Sequence, residues 1–264
     1  MNEEYVTDSE YRSYYPKLEG LRARIAADLP VKPGMRILDV GTGSAYFAME
    51  VARRDESLRI VGIDIAASDI RNSKKNLKRE GLAGRIEVLQ MDATKMAFAP
   101  GEFDMVVNFT GLEDIHMTRG RAGVEETFHQ AARVIKPGGR FCFVIMPPDE
   151  METEAQRIEV ALFSYICDAT WLNSEEYEAI LRKAGFILVE KKQYYTGKKL
   201  TANQAKAEIK FAVDTDPKIY GVATQPFEKV WTKFGKQIEE HGLGHYSKVV
   251  LMTAQKLNPD GTEL

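Results

Sequence analysis

The feature of this chain that points most directly to chemistry is a glycine turn followed, one strand later, by a carboxylate. Residues 37–47 (Ile-Leu-Asp-Val-Gly-Thr-Gly-Ser-Ala-Tyr-Phe) join an apolar strand to a helix through Gly41 and Gly43. Neither glycine has a Cβ, so the backbone can turn sharply and approach a ligand closely. Asp64 ends the next apolar run, where a ribose diol lies in nucleotide-binding βαβ units. The sequence therefore predicts a nucleoside pocket.

The spacing of the small residues in the turn distinguishes two kinds of nucleoside cofactor. A dinucleotide turn requires G-x-G-x-x-G/A, and the sixth position counted from Gly41 is Tyr46, which is too bulky. The third small residue comes one place earlier, so the motif reads Asp39-x-Gly41-x-Gly43-x-Ala45. Here the chain resembles the class I S-adenosylmethionine-dependent methyltransferases, whose first motif is acidic-x-Gly-x-Gly-x-Gly and whose second strand ends in an acidic residue.

Three further segments follow in the order and at the spacing that this resemblance requires. Residues 86–93 form an alternating strand that ends in Asp92-Ala93, residues 103–109 open with Phe-Asp, and residues 135–146 carry Lys-Pro-Gly-Gly before an apolar run. We therefore identify the chain as a member of this family. Membership implies S-adenosylmethionine as the methyl donor and S-adenosylhomocysteine as its product.

The resemblance implies roles for residues that bind the adenosine part of the cofactor. Ligands of open α/β sheets bind beyond the carboxyl ends of the strands. Asp64 is expected to accept hydrogen bonds from the ribose hydroxyls, and Ile65 to pack on adenine. Asp92, followed by Ala93, is expected to accept a hydrogen bond from the adenine amino group.

The methionine part of the cofactor is expected along the backbone of residues 41–44. Asn108, or the carbonyl of Phe109, would face the methionine ammonium or the sulfonium. Asp39 has two open roles, as a carboxylate that orders the turn or as a water-mediated contact to the ammonium. The expected cofactor residues are Asp39, Gly41, Gly43, Ser44, Asp64, Ile65, Asp92, Ala93 and Asn108.

Methyl transfer from a sulfonium is an in-line displacement, so the protein mainly has to align the acceptor, the methyl carbon and the sulfur. A base is needed only where the acceptor must lose a proton. Glu113, Asp114 and His116 are by topology the polar groups nearest the sulfonium, and we take Glu113 and His116 as catalytic candidates. His116 suits a base near neutral pH; a surface or helix-capping role is the alternative.

A second histidine cluster lies near the last predicted strand, in the sequence His241-Gly-Leu-Gly-His245-Tyr246. The spacing of the two histidines would place both rings on one face of a helix, as metal ligands require. The two glycines make such a helix poor and no third ligand is evident, so we predict no metal site. His245 is the third catalytic candidate, on a lid that contacts substrate; plain loop structure is the alternative.

Several classes of function are disfavoured by composition and by missing motifs. The net charge of -3 gives no positive field for nucleic acid. No Asn/Asp-Pro-Pro-Tyr/Phe motif follows the fourth strand, which argues against methylation of planar amino groups, and two cysteines fall short of an arsenite methyltransferase. No apolar run reaches the roughly 18–20 residues that span a bilayer, and the N-terminal residues lack the apolar core of a signal peptide. We expect a cytoplasmic protein without a membrane segment.

Strands that alternate with helices predict a doubly wound, mostly parallel α/β sheet of seven strands, with the last strand antiparallel. The sixth strand is predicted at residues 186–195 and the seventh at 247–256. We expect one methyltransferase domain over residues 1–264, made of an N-terminal lid (1–30), a cofactor-binding core (31–146), two substrate-cap insertions (147–171 and 196–246) and a last strand (247–257).

Two regions are expected to cover the site. Residues 196–246 are far longer than a usual connection of about 4–6 residues, so they form either an ordered lid or a contact in a homo-oligomer. Near the N-terminus, Tyr5, Tyr11, Tyr14 and Tyr15 precede a predicted helix at residues 18–29. In small-molecule methyltransferases of this family such a segment often folds over the cofactor and shields the sulfonium.

The leading hypothesis is methyl transfer to a small-molecule acceptor enclosed by these lids. The alternatives are methylation of a protein or RNA residue, with the long insertion as a docking surface, and a non-catalytic partner protein that binds S-adenosylmethionine. A closed cavity favours a small acceptor and a shallow groove favours a macromolecule.

Overall fold

The computed structural model describes residues 3–257 and places a mostly parallel sheet between two layers of helices. The strands in this range are β1 Glu4–Tyr5, β2 Arg36–Val40, β3 Arg59–Asp64, β4 Ile86–Gln90, β5 Phe103–Phe109, β6 Ile135–Ile145, β7 Phe186–Tyr195, β8 Lys198–Leu200, β9 Leu243–Gly244 and β10 Lys248–Lys256. The α-helices are α1 Asp8–Lys17, α2 Leu21–Asp28, α3 Tyr46–Ala52, α4 Ala67–Arg79, α5 Leu112–Val134, α6 Glu154–Ile166, α7 Ser174–Lys183, α8 Ala202–Tyr220 and α9 Phe227–His241.

The main sheet has seven strands in the order β4-β3-β2-β5-β6-β10-β7. Strands β2 to β6 run parallel to their neighbours, and β10 runs antiparallel to both β6 and β7. The predicted fold class is therefore confirmed. The chain moves outward in one direction from β2 to β4 and returns on the other side of β2 at β5. The carboxyl ends of β2 and β5 thus form the topological switch point, where open α/β sheets bind ligands.

Both faces of the sheet are buried, which explains why its central strands are nearly continuous apolar runs. In β5, beyond a register shift after Phe103, Met105 and Val107 join the core on one face, whereas Val106 joins the core on the other. This alternation follows from the two-residue period of a strand. Polar side chains are consequently left at the strand ends, where the candidate site lies.

Two features of the helices bear on the site. Helix α5 is broken at Gly120, whose φ of +66° lies in the left-handed region. Within the long insertion, α8 runs to Tyr220, and α9 begins with an aromatic stretch over residues 227–234.

A small sheet that the sequence did not predict joins the N-terminal segment to the long insertion. Strand β1 pairs in parallel with β8, and β8 pairs antiparallel with β9. Side chains reinforce this junction, since the Tyr11 hydroxyl donates to Glu208 Oε1 at 2.6 Å and Gln204 Nε2 donates to the Val6 carbonyl at 3.0 Å. The two predicted lids are therefore fastened to each other, and we refer to residues 3–20 together with 196–246 as the cap. No helix within residues 3–257 is long and apolar enough to span a membrane.

Candidate functional site

The glycine turn between β2 and α3 has the backbone that its composition predicts. Gly41 and Gly43 have φ values of +67° and +52°. A Cβ on Gly41 would lie 3.5 Å from Asn108 Nδ2, whereas a Cβ on Gly43 would meet no atom within 4 Å. Gly43 therefore borders open space. The carbonyl of Ser44, at the far side of the turn, accepts a hydrogen bond of 3.0 Å from Asn76 Nδ2 on α4.

Ala45 occupies the third small position of this turn with a left-handed φ of +64° and is fully buried. An alanine in this conformation carries a steric cost of about 1–2 kcal/mol, which exceeds the entropic cost of a glycine in the unfolded chain. We expect Ala45→Gly to raise the free energy of unfolding by about 0.5 kcal/mol in urea denaturation. Ala48→Gly, inside α3, is the matched control and should lower it by about 1 kcal/mol. Equal destabilisation by both variants would contradict the strain at Ala45.

Asp64 connects the glycine turn to the start of α4. Its Oδ2 accepts from the Gly43 amide at 2.9 Å, and its Oδ1 accepts from the Ala66 amide at 2.9 Å. Burial raises the pKa of Asp64, although backbone hydrogen bonds partly oppose that rise. Beside it, Ile65 leaves 37% of its surface exposed, so an apolar face remains free next to the carboxylate.

Asp92 lies at the end of the neighbouring strand and is held ionised. Its Oδ1 accepts from both the amide and the hydroxyl of Thr94, at 2.9 and 2.7 Å, and its Oδ2 pairs with Arg119 at 3.0 Å. Burial alone would raise the pKa of Asp92, but these partners outweigh it and leave the pKa below its usual value.

One cavity at the switch point brings together five of the nine expected cofactor residues. These are Gly41, Asp64, Ile65, Asp92 and Ala93. The same cavity is lined by residues that the sequence did not assign to the cofactor, among them Gly111, Arg119 and Tyr220. Tyr220 reaches the cavity from the end of α8 in the cap. The sequence predicted residues 196–246 as a lid or as an oligomer contact. It did not indicate which side chains of this insertion would reach the cavity.

Two of the expected cofactor residues hold the turn instead of lining this cavity. Asn108 is fully buried; its Nδ2 donates to the Val40 carbonyl at 2.6 Å, and its Oδ1 accepts from the Gly111 amide at 3.2 Å. Its side chain thus ties the ends of β2 and β5 together, and its predicted contact with the methionine part, for which the carbonyl of Phe109 is the alternative, stays a prediction. Asp39 is also buried and accepts from Thr42 Oγ1 at 2.6 Å; burial raises its pKa to about 7.

The three catalytic candidates have separate surroundings, and none hydrogen-bonds another within the part of the chain described. Glu113 is buried and accepts from the Met146 amide at 3.2 Å, and burial raises its pKa to about 7. His116 is half-buried, and burial, followed by the nearby Arg121, lowers its pKa. Burial lowers the pKa of His245 to about 4, so its imidazole is neutral and weakly basic. The expectation of a base from this set thus stays a prediction.

His245 packs among aromatic rings, with centroid distances of 5.3 Å to both Tyr14 and Tyr246. Within residues 3–257, no group of three or more histidine, cysteine, aspartate or glutamate side chains is arranged to hold a metal ion.

Four aromatic rings surround the space next to the glycine turn and the end of β5, and we call this group the aromatic chamber. Its members are Tyr15, Tyr46, Phe109 and Tyr246. Phe109 and Tyr246 stack with centroids 6.4 Å apart, and Tyr15 lies 6.3 Å from Tyr46 and 5.7 Å from Tyr246. Although 45% of the surface of Tyr15 is open, burial among the surrounding protein raises its pKa.

Tyr246 is fixed in the chamber through its backbone, which has a left-handed φ of +53°. Its amide donates to Glu159 Oε1 at 2.8 Å, and its carbonyl accepts from Thr196 Oγ1 at 3.0 Å. Non-glycine residues with such a φ persist only where their surroundings hold them there. The sequence singled out this segment for its histidines, whereas the structure places the neighbouring tyrosine at the chamber.

Comparison with known proteins agrees with this architecture. Residues 31–196 match the family described as Methyltransferase domain. The 27-O-demethylrifamycin SV methyltransferase of Amycolatopsis mediterranei is 28% identical over 242 residues, covering 89% of this chain and 82% of the relative. The erythromycin 3''-O-methyltransferase of Saccharopolyspora erythraea is 30% identical over 183 residues, covering 65% of this chain and 57% of that enzyme.

Solved structures support the same fold at lower identity. The cyclase SpnF superposes with a TM-score of 0.62 at 19% identity, covering 97% of this chain and 87% of its own. The geranyl diphosphate C-methyltransferase of Streptomyces coelicolor A3(2) gives 0.61 at 14%, covering 95% and 84%. The family match extends from the segment before β2 through the end of β7 and includes the whole glycine turn and both carboxylates. The chain therefore belongs to the methyltransferase domain family, as its motifs predicted.

Proposed function

We propose that the protein transfers a methyl group from S-adenosylmethionine to a small-molecule acceptor bound beneath the cap. The observation that carries this proposal is the single cavity at the switch point in which the glycine turn meets two carboxylates from adjacent strands, Asp64 and Asp92. Asp64 lies beside the glycine turn, and Asp92 lies further along the carboxyl edge of the sheet. That arrangement suits a ribose diol and an adenine amino group.

The donor set fits this cofactor. Asp64 uses its oxygens to order the turn and still borders the cavity, where its remaining lone pairs can accept from ribose hydroxyls. Ile65 supplies an apolar surface for a base, and Gly43 leaves room that a side chain would fill. Asp92 remains ionised and can accept from an exocyclic amine while Arg119 neutralises part of its charge.

The aromatic chamber would then be the place of transfer. When bound, S-adenosylmethionine supplies an electrophilic methyl group on a positively charged sulfur. Arg22 already lies against the rings of Tyr15 and Phe109, so the ring of Tyr246 is the one that would attract such a cation. Since positioning contributes several kcal/mol in displacements of this kind, the rigid backbone at Tyr246 serves to orient the acceptor against the methyl carbon.

The contact of the cap with the cavity favours a small acceptor over a protein or RNA. Tyr220 of the cap lines the cavity at the switch point, and the two parts of the cap are held together by β1, β8 and β9. The relatives named above act, by their names, on derivatives of rifamycin and erythromycin, and other relatives act in menaquinone biosynthesis. We therefore infer that the acceptor is a compact organic molecule.

Tyr220 gives a direct test of the contribution of the cap to cofactor binding. It lines the cavity from α8, and nearby Asp114, together with burial, raises its pKa, so its phenol stays protonated and can donate. We expect Tyr220→Ala to weaken S-adenosylhomocysteine binding about five- to tenfold in calorimetric titration. Phe211→Ala, on the same helix but 65% exposed, is the control and should bind as the unchanged protein does. Equal affinities for the two variants would remove Tyr220 from the cofactor site.

The proposed function is tested by binding and turnover together. Calorimetric titration should detect S-adenosylmethionine and S-adenosylhomocysteine and no binding of NAD. Turnover is followed as S-adenosylhomocysteine formation with a panel of small hydroxylated and amino acceptors, and with bulk RNA and denatured protein as separate arms. We expect product only with the small molecules. Binding of NAD in preference to S-adenosylmethionine, or methylation confined to RNA or protein, would overturn the proposal.

A further inference from the structure

Arg22 is a buried cation for which the described residues provide no carboxylate. Only 4% of its surface is exposed. Its Nη1 donates to the carbonyls of Tyr15 at 2.8 Å and Pro16 at 3.3 Å, and within residues 3–257 it forms no ion pair. A charge taken out of water is costly unless it is paired, and arginine does not lose its proton in proteins. A buried arginine requires a counter-ion, and the described residues do not supply one to Arg22.

The guanidinium of Arg22 lies against the aromatic chamber. Its Cζ is 4.8 Å from the ring centre of Tyr15, 4.9 Å from that of Phe109 and 5.3 Å from that of Tyr46. The faces of these rings attract the cation but offer little to its N–H donors. Arginine has five such donors in a planar fork, and two backbone carbonyls that share Nη1 leave part of this fork unused. The unused donors belong to the same planar group that lies against these rings.

The backbone that leads to Arg22 is unusual. Between α1 and α2, Leu18, Glu19 and Gly20 have φ values of +41°, +50° and +69°. Two consecutive non-glycine residues in the left-handed region carry strain, which proteins retain mainly where a site requires it. Because of this turn, Tyr15 at the end of α1 and Arg22 at the start of α2 face each other.

We infer that Arg22 binds an anionic oxygen group, a carboxylate or an ionised phenol, inside the aromatic chamber. A planar fork matches such a group with two parallel hydrogen bonds, and the Tyr15 phenol lies beside it. Two sources share this chemistry, namely the methionine carboxylate of the donor and an acidic group on the acceptor. The inference rests on the proposed function, because that function places both molecules at the chamber.

The experiment compares probes with and without the anion. Purified protein is titrated with S-adenosylhomocysteine and with 5′-methylthioadenosine, which has the same nucleoside and thioether but lacks the carboxylate together with the ammonium group and chain that carry it. Protein saturated with S-adenosylhomocysteine is then titrated with benzoate and with benzamide, its neutral counterpart. Both contrasts are measured for the unchanged chain and for Arg22→Gln, Arg22→Lys and Arg24→Gln. Arg24 lies on the same helix but is exposed and serves as the matched control.

A selective loss in either contrast supports the inference. If the methionine carboxylate is the partner, Arg22→Gln should weaken S-adenosylhomocysteine about tenfold or more while 5′-methylthioadenosine binds as before. If the acceptor supplies the anion, both nucleosides should bind as before and the preference for benzoate over benzamide should disappear. Arg22→Lys keeps the charge but not the fork, so it should retain part of the affinity, and Arg24→Gln should change neither contrast.

Other results overturn the inference. The inference is wrong if Arg22→Gln changes neither contrast. It is also wrong if this variant loses affinity for S-adenosylhomocysteine and for 5′-methylthioadenosine equally. If neither Arg22 variant folds, as judged by circular dichroism, the side chain serves stability instead. Failure of the proposed function is recognised separately. In that case the unchanged protein itself does not bind S-adenosylhomocysteine.

Discussion

Asp64→Asn is expected to weaken S-adenosylhomocysteine binding by about tenfold to a hundredfold. Hydrogen bonds to a charged group contribute about 1.5–3 kcal/mol each, and the variant loses the charge that the ribose hydroxyls would meet. Asparagine keeps the shape of the side chain but has one acceptor oxygen instead of two. It can no longer accept from both the Gly43 and the Ala66 amides, so the turn is also held less firmly. Calorimetric titration at pH 7 measures the effect.

Asp69→Asn provides the control for this prediction. Asp69 lies in the first turn of α4 close to Asp64, and burial raises its pKa as well, but it does not line the cavity. The variant should bind S-adenosylhomocysteine within about twofold of the unchanged protein. If the two variants have the same affinity, the loss reflects the charge of the rim in general and the ribose assignment of Asp64 is wrong.

The architecture was predictable because its signals are local and repeated. The strand predicted at residues 186–195 coincides with β7, and the alternating run over residues 86–93 contains β4. Each is an apolar or alternating run followed by turn-forming residues, which is the pattern of a strand. The family follows from the same segments, since the cofactor motifs are the turns that these strands feed.

The roles of individual polar side chains were less predictable. Asn108 lies near the end of β5 and Glu113 in the first turn of α5, where site residues are common, yet each makes a hydrogen bond to the backbone of another strand or its end. Such pairings depend on tertiary distances that the sequence does not contain. Arg22 was not singled out from the sequence, because an arginine in the first turn of a helix normally lies at the surface; only the packed structure shows that it is buried.

Short elements were also missed for a physical reason. Strands β1, β8 and β9 have two or three residues each, too few for a two-residue period to be recognised. They are stable because the cap packs around them. The connection between the N-terminal segment and the long insertion is therefore a tertiary property, although it decides how the cap covers the site.

Glu159→Gln is expected to make the stability of the protein less dependent on pH. Glu159 is 2% exposed; its Oε1 accepts from the Tyr246 amide, and its Oε2 has no hydrogen-bond partner within the part of the chain described. Burial raises its pKa to about 8, and nearby Glu3 adds to this rise. Between the usual glutamate pKa of about 4.3 and this value, the folded chain keeps a proton that the unfolded chain releases. The contribution of Glu159 to the free energy of unfolding therefore falls as the pH rises from 5 to 8.

The contribution of one such proton is about 1.4 kcal/mol per pH unit, and glutamine cannot contribute it. Urea denaturation at several pH values should show the stability of Glu159→Gln, relative to the unchanged protein, rising by about this amount per unit toward pH 8. The amide oxygen of glutamine can still accept from the Tyr246 amide, so the aromatic chamber should remain formed.

Glu154→Gln, on the same helix but exposed and paired with Arg157, is the control. That pairing lowers the pKa of Glu154. Its contribution to stability is therefore lost as the pH falls, opposite to that of Glu159, and it is small because the site is exposed. A stability difference between Glu159→Gln and the unchanged protein that stays constant from pH 5 to 8 would mean that Glu159 titrates near its ordinary pKa. Glu159 would then support Tyr246 as an ionised group in contact with water, and the chamber would be wetter than its packing indicates.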